Sequence, residues 1–200
     1  MTILVFDTET TGFADRKKPL LDPGQPHLVQ LACALIQNDG TEIMAAHLII
    51  RPEGFTIPPT ATKVHGITHD LALAVGIPVK LALLTFTHMR ARATTAIAAH
   101  NEEFDRFIMD IELARLNAEP AHAGPQRHIC TAQESAKLVG IPPTAAMIKW
   151  GHGDKCKTPK LDELHRFLFN EPFIGAHNAL HDMRALIRCL IELRKRGVCL

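Results

Sequence analysis

The chain has 200 residues, 46% of them apolar, and a formal net charge of +1. That is enough apolar material for one domain with a full core, and it excludes a disordered chain. The near-zero charge excludes a uniformly basic coat for nucleic acid, so any grip on phosphates has to be local or carried by metal.

In chain order, "TILVF" (2–6) is a short β-branched apolar run that predicts a buried strand. "GFADRKKPLLDPGQPH" (12–27), rich in Pro, Gly and charge, reads as a long loop. "LVQLACALI" (28–36) and "EIMAAHLII" (42–50) are two further strands, with an Asp-Gly hairpin signal in "NDG" (38–40) between them. "RPEGFTIPP" (51–59) is loop. Residues 68–92 have helical spacing interrupted at "GIP" (76–78), which predicts two helices. "TTAIAAHN" (94–101) is a fourth strand running into a turn. The helix after it, 102–118, carries a stripe of Phe104, Phe107, Ile108, Ile111 and Leu116. "RHICT" (127–131) is a fifth strand, followed by a helix over 132–139, a segment that is mostly loop over 140–160 and a short helix over 161–168. The last helix runs from about Asn178 to Arg196, with Asn178 as N-cap and Leu186, Ile187, Leu190 and Leu193 inward. The expectation is an α/β fold in one domain over 1–200: a central mixed sheet of five strands, three antiparallel strands first, flanked by helices.

The five cysteines are scattered, odd in number and without a C-x-x-C pair, so neither a disulfide framework nor a zinc module is indicated. "MTILVFDTE" has no basic region ahead of its apolar run and does not read as a signal peptide. No apolar run approaches the roughly 18 residues that cross a bilayer. The expected setting is a reducing cytoplasm, away from membranes.

"VFDTETTG" (5–12) puts Asp7 and Glu9 at the end of a strand, and residues i and i+2 of a strand share a face. Converging carboxylates are costly through burial and repulsion, and an oxygen-seeking divalent cation relieves both. Solvated acids at a surface strand end are the plainer reading of this pair alone. "AAHNEEFDRF" (98–107) ends a second apolar strand ahead of Glu102, Glu103 and Asp105, acids that also serve a helix dipole. "GAHNALHDMRA" (175–185) sets Asp182 in the first turn of the last helix. His181 is its neighbour there, and the two side chains leave about 100° apart around the axis. His177 lies on the preceding loop, and only a loop group can swing over the site that Asp182 faces. This favours His177 over His181 as the chemical histidine, with His181 a bystander.

Taken together and in order, "FDTETTG", "HNEEFD" and "HNALHD" resemble the DEDD exonuclease superfamily. His177, four residues and then Asp182 is the spacing of its DEDDh branch; the sister branch carries tyrosine in this motif, and the chain has no tyrosine. "VHGITHD" (64–70), "QPHLVQLA" and "KTPKLDELHRFLFNEPFIGAHNALHDMRA" look most like phage and bacterial relatives of the proofreading epsilon subunit of DNA polymerase III. The resemblance implies an RNase H-like fold and metal-dependent hydrolysis of phosphodiesters from the 3′ end of nucleic acid, releasing nucleoside 5′-monophosphates. Single-stranded or frayed DNA is the favoured substrate. It implies that Asp7, Glu9, Asp105 and Asp182 hold two divalent cations, Mg²⁺ or Mn²⁺, with Asp7 bridging, and that His177 is the general base. Cations roughly 3.5–4 Å apart can stabilise both the attacking and the leaving oxygen, and an imidazole can take a water's proton near neutrality. Gln30 stands where many relatives carry Glu, and is taken as supporting or structural. The chain ends at Leu200, directly after the last helix. The epsilon subunit attaches to its polymerase through an extension beyond that point, so this mode of proofreading is not expected.

Substrate contacts are open between two readings each. Thr10, Thr11 and Gly12 offer backbone N–H groups to a terminal nucleotide or are plain loop. Phe13 stacks on a base, worth roughly 1–3 kcal/mol, or packs the loop. His65 contacts the nucleotide or is structural; Asn101 contacts it or caps the helix. Lys155, Lys157 and Lys160 guide phosphates or are a solvated loop. His152 and Cys156 are too few to make a zinc site. Two rival functions remain: an exoribonuclease of the same branch, resembling RNase T or oligoribonuclease, and an inactive nucleic-acid-binding module. A homodimer or a polymerase or repair partner is not readable from the residues.

Overall fold

In a computed structural model of the protein, residues 1–121 and 123–198 are described. Strands β1 (Thr2–Thr10), β2 (Leu28–Gln37) and β3 (Glu42–Ile49) come first, then helices α1 (Pro59–His65), α2 (His69–Val75) and α3 (Val79–Arg90). Next are β4 (Ala96–Ala99), α4 (Glu102–Arg115), β5 (Arg127–Cys130) and α5 (Thr131–Val139). Helices α6 (Ala145–Lys149), α7 (Leu161–Phe169) and α8 (Ala179–Lys195) close the chain. The sheet order is β3-β2-β1-β4-β5, with β1, β2 and β3 antiparallel and β4 and β5 added in parallel. This is the mixed five-stranded sheet expected.

Alternation along β1 decides what covers each face. Leu4 and Phe6 enter a core shared with Phe86 and Met89 of α3 and Ile108 of α4. Ile3 and Val5 enter the opposite core, against Met183, Leu186 and Leu190 of α8. On that side the neighbouring strands present Ala32, Ala34, Ala96 and Ala98. Their short side chains leave room for α8 to lie close to the sheet. Since β4 runs parallel to β1, the start of α4 lands at the C-terminal end of β1. The first turn of α8 reaches the same end from the other face.

Some elements differ from expectation. β1 continues past Phe6 to Thr10, so Asp7 and Glu9 lie within the strand. α1 was not expected; it begins with Pro59, a proline suited to a first helical position, but its seven residues are too few to show apolar periodicity. α6, also short, interrupts the 140–160 segment. α4 stops at Arg115, so Leu116 falls outside it and is 40% exposed; Met109 and Leu113 complete the buried face instead. Asn178 caps α8 as expected, accepting from Leu180 N and His181 N. Cys33, Cys130, Cys156 and Cys189 are free thiols, while Cys199 lies outside the described residues. No helix among the described residues is long and apolar enough to cross a membrane.

Candidate active site

Asp7 and Glu9 follow Ile3 and Val5 on the α8 side of β1. There they meet Asp182 in the first turn of α8: carboxylate oxygens of Asp7, Glu9 and Asp182 all lie within 4.8 Å of one another. Thr8, between the two strand acids, points to the other face. Asp105 comes to it from the first turn of α4, its Oδ1 accepting from Thr8 N at 3.0 Å and from Thr8 Oγ1 at 2.7 Å. Three of the expected acids therefore converge directly, and the fourth is tied to the same strand one residue away. Glu102 and Glu103 are engaged elsewhere: Glu102 with His128 and Arg106, Glu103 with Arg16.

The arrangement is electrostatically expensive. Burial first, then repulsion from Asp105, Asp182 and Glu9, holds the Asp7 carboxyl well above its ordinary range. Burial and the charges of Asp182 and Asp105 push Glu9 up to about 8. Asp105 is pushed to about 7 by burial, against the downward pull of the Thr8 hydrogen bonds. Asp182 is pushed to about 6 by burial, against the His177 backbone N–H. A group of carboxylates that resist ionisation together suits a hard divalent cation, which relieves desolvation and repulsion at once.

His177 sits on the loop ahead of α8 in a left-handed conformation (φ 65°), and its N–H donates to Asp182 Oδ2 at 2.9 Å. The loop folds over His181: a Cβ on Gly175 (φ 93°) would lie 2.3 Å from His181 Nδ1. His181 thus supports the loop from the helix, while the His177 side chain borders a cleft of about 360 Å³ that also reaches Glu9.

Thr10, Thr11, Gly12, Phe13 and His65 line that cleft with Thr60, Ala61 and Val64 of α1. Thr11 cannot offer its N–H to a ligand, because it donates to the His27 carbonyl at 2.9 Å while its hydroxyl accepts from His27 N. The Thr10 hydroxyl turns back to the Gly12 carbonyl at 2.6 Å. Phe13 is 94% exposed, held edge-on to Phe104 with ring centroids 6.4 Å apart. His65 is buried; its Nδ1 accepts from Ile67 N at 3.1 Å, so its proton sits on Nε2, a buried atom with no partner. Burial lowers its pKa, and the Thr10 backbone beside it pulls the other way without reaching hydrogen-bond geometry.

Asn101 precedes α4 in a left-handed conformation, and its side chain makes no capping bond, so the capping reading fails. Lys157 is paired with Glu163 at 2.6 Å, which removes it from the set of free phosphate guides. His100 pins the nearby loop, bonding Thr131 Oγ1 and the Pro159 carbonyl at 3.0 Å each, and burial pushes its pKa down to about 4. Sequence reasoning missed Thr8 and α1. The first was visible in the alternation of "DTET", which turns Thr8 away from its acidic neighbours; the second only in the Pro58-Pro59 start.

The family profile of exonucleases of the RNase T type matches residues 4–190. Ribonuclease T of Actinobacillus pleuropneumoniae serotype 5b (strain L20) is 26% identical over 193 residues, covering 90% of this chain and 77% of that protein. Among solved structures, Escherichia coli Exonuclease I in complex with a dT13 oligonucleotide is similar at TM-score 0.74 and 20% identity, over 98% of this chain and 41% of that one. Exonuclease I from Methylocaldum szegediense is similar at TM-score 0.67 and 21% identity, over 98% of this chain and 40% of that one. The chain thus spans about two-fifths of the length of these solved relatives, which share its fold. The profile match begins in β1 and ends in α8, running through every element that carries one of the four acids, and on it the chain belongs to the exonuclease (RNase T) family of the DEDD superfamily.

Proposed function

We propose that this chain is a metal-dependent 3′→5′ exonuclease that removes nucleoside 5′-monophosphates from the 3′ end of nucleic acid, with DNA as favoured substrate. The convergence of Asp7, Glu9 and Asp182, with Asp105 tied to the intervening Thr8, carries the reading. These four carboxylates would hold two divalent cations, Mg²⁺ or Mn²⁺, whose chemistry is charge stabilisation of both oxygens in an in-line displacement. His177, at the cleft edge and clear of the helix, accepts the proton of the attacking water. Its spacing from Asp182 is that of the DEDDh branch; a place nearer the epsilon proofreading subunit rests on the "VHGITHD" loop and on the likeness of "QPHLVQLA" and the 157–185 segment. In the cleft, the exposed Phe13 ring stacks on a base, and His65 Nε2–H donates to the terminal nucleotide. A single domain over 1–200 suffices for all of this.

DNA is supported by the likeness to a structure that holds a dT13 oligonucleotide. The match to a ribonuclease T supports the second reading, an exoribonuclease with the same five chemical residues. Matched single-stranded DNA and RNA oligomers, digested side by side in Mg²⁺ or Mn²⁺, separate the two. Asp7→Ala and His177→Ala are expected to abolish digestion of both. Activity that survives both substitutions overturns the mechanism, whereas a wild-type chain that binds the oligomers without cleaving them is the mark of the inactive module.

A further inference from the structure

Gln30 of β2 pairs with Glu9 of β1 in the antiparallel register, so its side chain lies on the face that α8 covers. It is 1% exposed. Its Oε1 accepts from Ala179 N, the first residue of α8, at 2.9 Å. Its Nε2 meets His47 Nε2 of β3 at 2.5 Å.

The first N–H groups of a helix have no acceptor within it. In α8 the Asn178 side chain satisfies Leu180 and His181, and Gln30 satisfies Ala179. The two acceptors do different work. Asn178 moves with the helix and cannot set where it sits. Gln30 belongs to the sheet and can. Its amide has one workable orientation: oxygen toward Ala179 N–H and nitrogen toward His47, whose Nε2 must then be the unprotonated ring nitrogen. The reversed amide would set its NH₂ against the Ala179 N–H.

We propose that Gln30, held by His47, is a positioning residue that fixes the start of α8 on the sheet so that the Asp182 carboxylate meets Asp7 and Glu9. This rests on the metal reading of that acid cluster. Gln30 touches neither cation nor substrate; it acts through the helix that carries Asp182.

The test is calorimetric titration of Mn²⁺ into the full chain, with kcat and KM for a single-stranded oligonucleotide measured beside it. Gln30→Leu keeps the volume but cannot accept from Ala179. It is expected to bind Mn²⁺ roughly tenfold more weakly and to need more Mn²⁺ for half-maximal kcat, with KM for the oligonucleotide unchanged. Gln30→Glu still offers an oxygen to Ala179 N–H and is expected to restore Mn²⁺ affinity. Wild-type affinity and kcat in Gln30→Leu, or equal impairment in Gln30→Glu, overturns the inference. Should Gln30→Leu fail to fold by circular dichroism, His47→Ala on the exposed edge strand carries the test. It frees the amide to rotate and is expected to weaken Mn²⁺ binding several-fold; unchanged affinity overturns the inference. A wild-type chain that binds no Mn²⁺ overturns the metal reading and this inference with it, whereas Mn²⁺ binding indifferent to both positions overturns this inference alone.

Discussion

Raising the pH in EDTA is expected to destabilise the protein through its own acid cluster. In the folded state Asp182 sits at about 6, Asp105 at about 7 and Glu9 at about 8, against ordinary values of 3.8 for Asp and 4.5 for Glu. A group whose folded pKa is raised contributes stability that is fully present below its unfolded pKa and is lost as pH rises through the folded one. The loss therefore runs from about pH 4 to about pH 8, and is steepest between about 4.5 and 6, where all three acids are protonated in the folded chain and ionised in the unfolded one. Each tenfold change in proton affinity is worth about 1.4 kcal/mol, so forcing Glu9 alone to ionise costs up to roughly 4–5 kcal/mol. The contributions of the four acids do not add, since ionising one raises the cost of the next. At about 2–4 °C per kcal/mol for a chain of this size, Tm should fall by roughly 10 °C between pH 5 and pH 8.5. Differential scanning calorimetry across that range reads it. Glu9→Gln should remove at least half of the fall, and millimolar Mg²⁺ or Mn²⁺ should flatten it in the wild type. A Tm in EDTA that is level from pH 5 to 8.5, or that falls in parallel in Glu9→Gln, refutes the reasoning.

Thr8→Val removes the 2.7 Å hydroxyl bond to Asp105 and leaves the backbone one. A hydrogen bond to a charged group is worth about 1.5–3 kcal/mol, so urea unfolding at pH 8.5, above the Asp105 pKa of about 7, should show a loss of that order, and kcat should fall with it. Phe13→Ala should leave Tm unchanged, because the ring is 94% exposed. It should raise KM for an oligonucleotide by about 5- to 150-fold, the worth of one stacked base. Gly175→Ala introduces a Cβ 2.3 Å from His181 Nδ1 at φ 93°. It should lower kcat by displacing the His177 loop; adding His181→Ala relieves the contact but not the backbone strain, so recovery should be partial.

The strands and long helices were legible because their apolar periods are long enough to read. The order of the three acidic motifs pointed to the family now shown by the match over residues 4–190. What sequence could not supply were contacts between distant residues. Whether Glu102, Glu103 or Asp105 turns to the site depends on a bond to Thr8, formed only once β4 lies parallel to β1. The tie between Gln30 and Ala179 spans 149 positions and leaves no local pattern. The engagement of the Thr11 amide with His27 across the loop, which denies it to a ligand, is equally unreadable. Short helices escaped for a different reason: α1 and α6 have too few turns to show a stripe. Local geometry alone did place His177 on a loop and His181 within the helix, and the structure has them there.

The central claim meets its most direct test in the digestion of a single-stranded DNA oligonucleotide carrying a fluorophore on its 5′ end, in Mg²⁺, followed by denaturing electrophoresis. Stepwise shortening that keeps the label on every intermediate, with nucleoside 5′-monophosphates as the other product and no reaction in Asp182→Asn, is the predicted result. Immediate release of the label as a mononucleotide, internal cleavage, or no digestion of either DNA or RNA would contradict it.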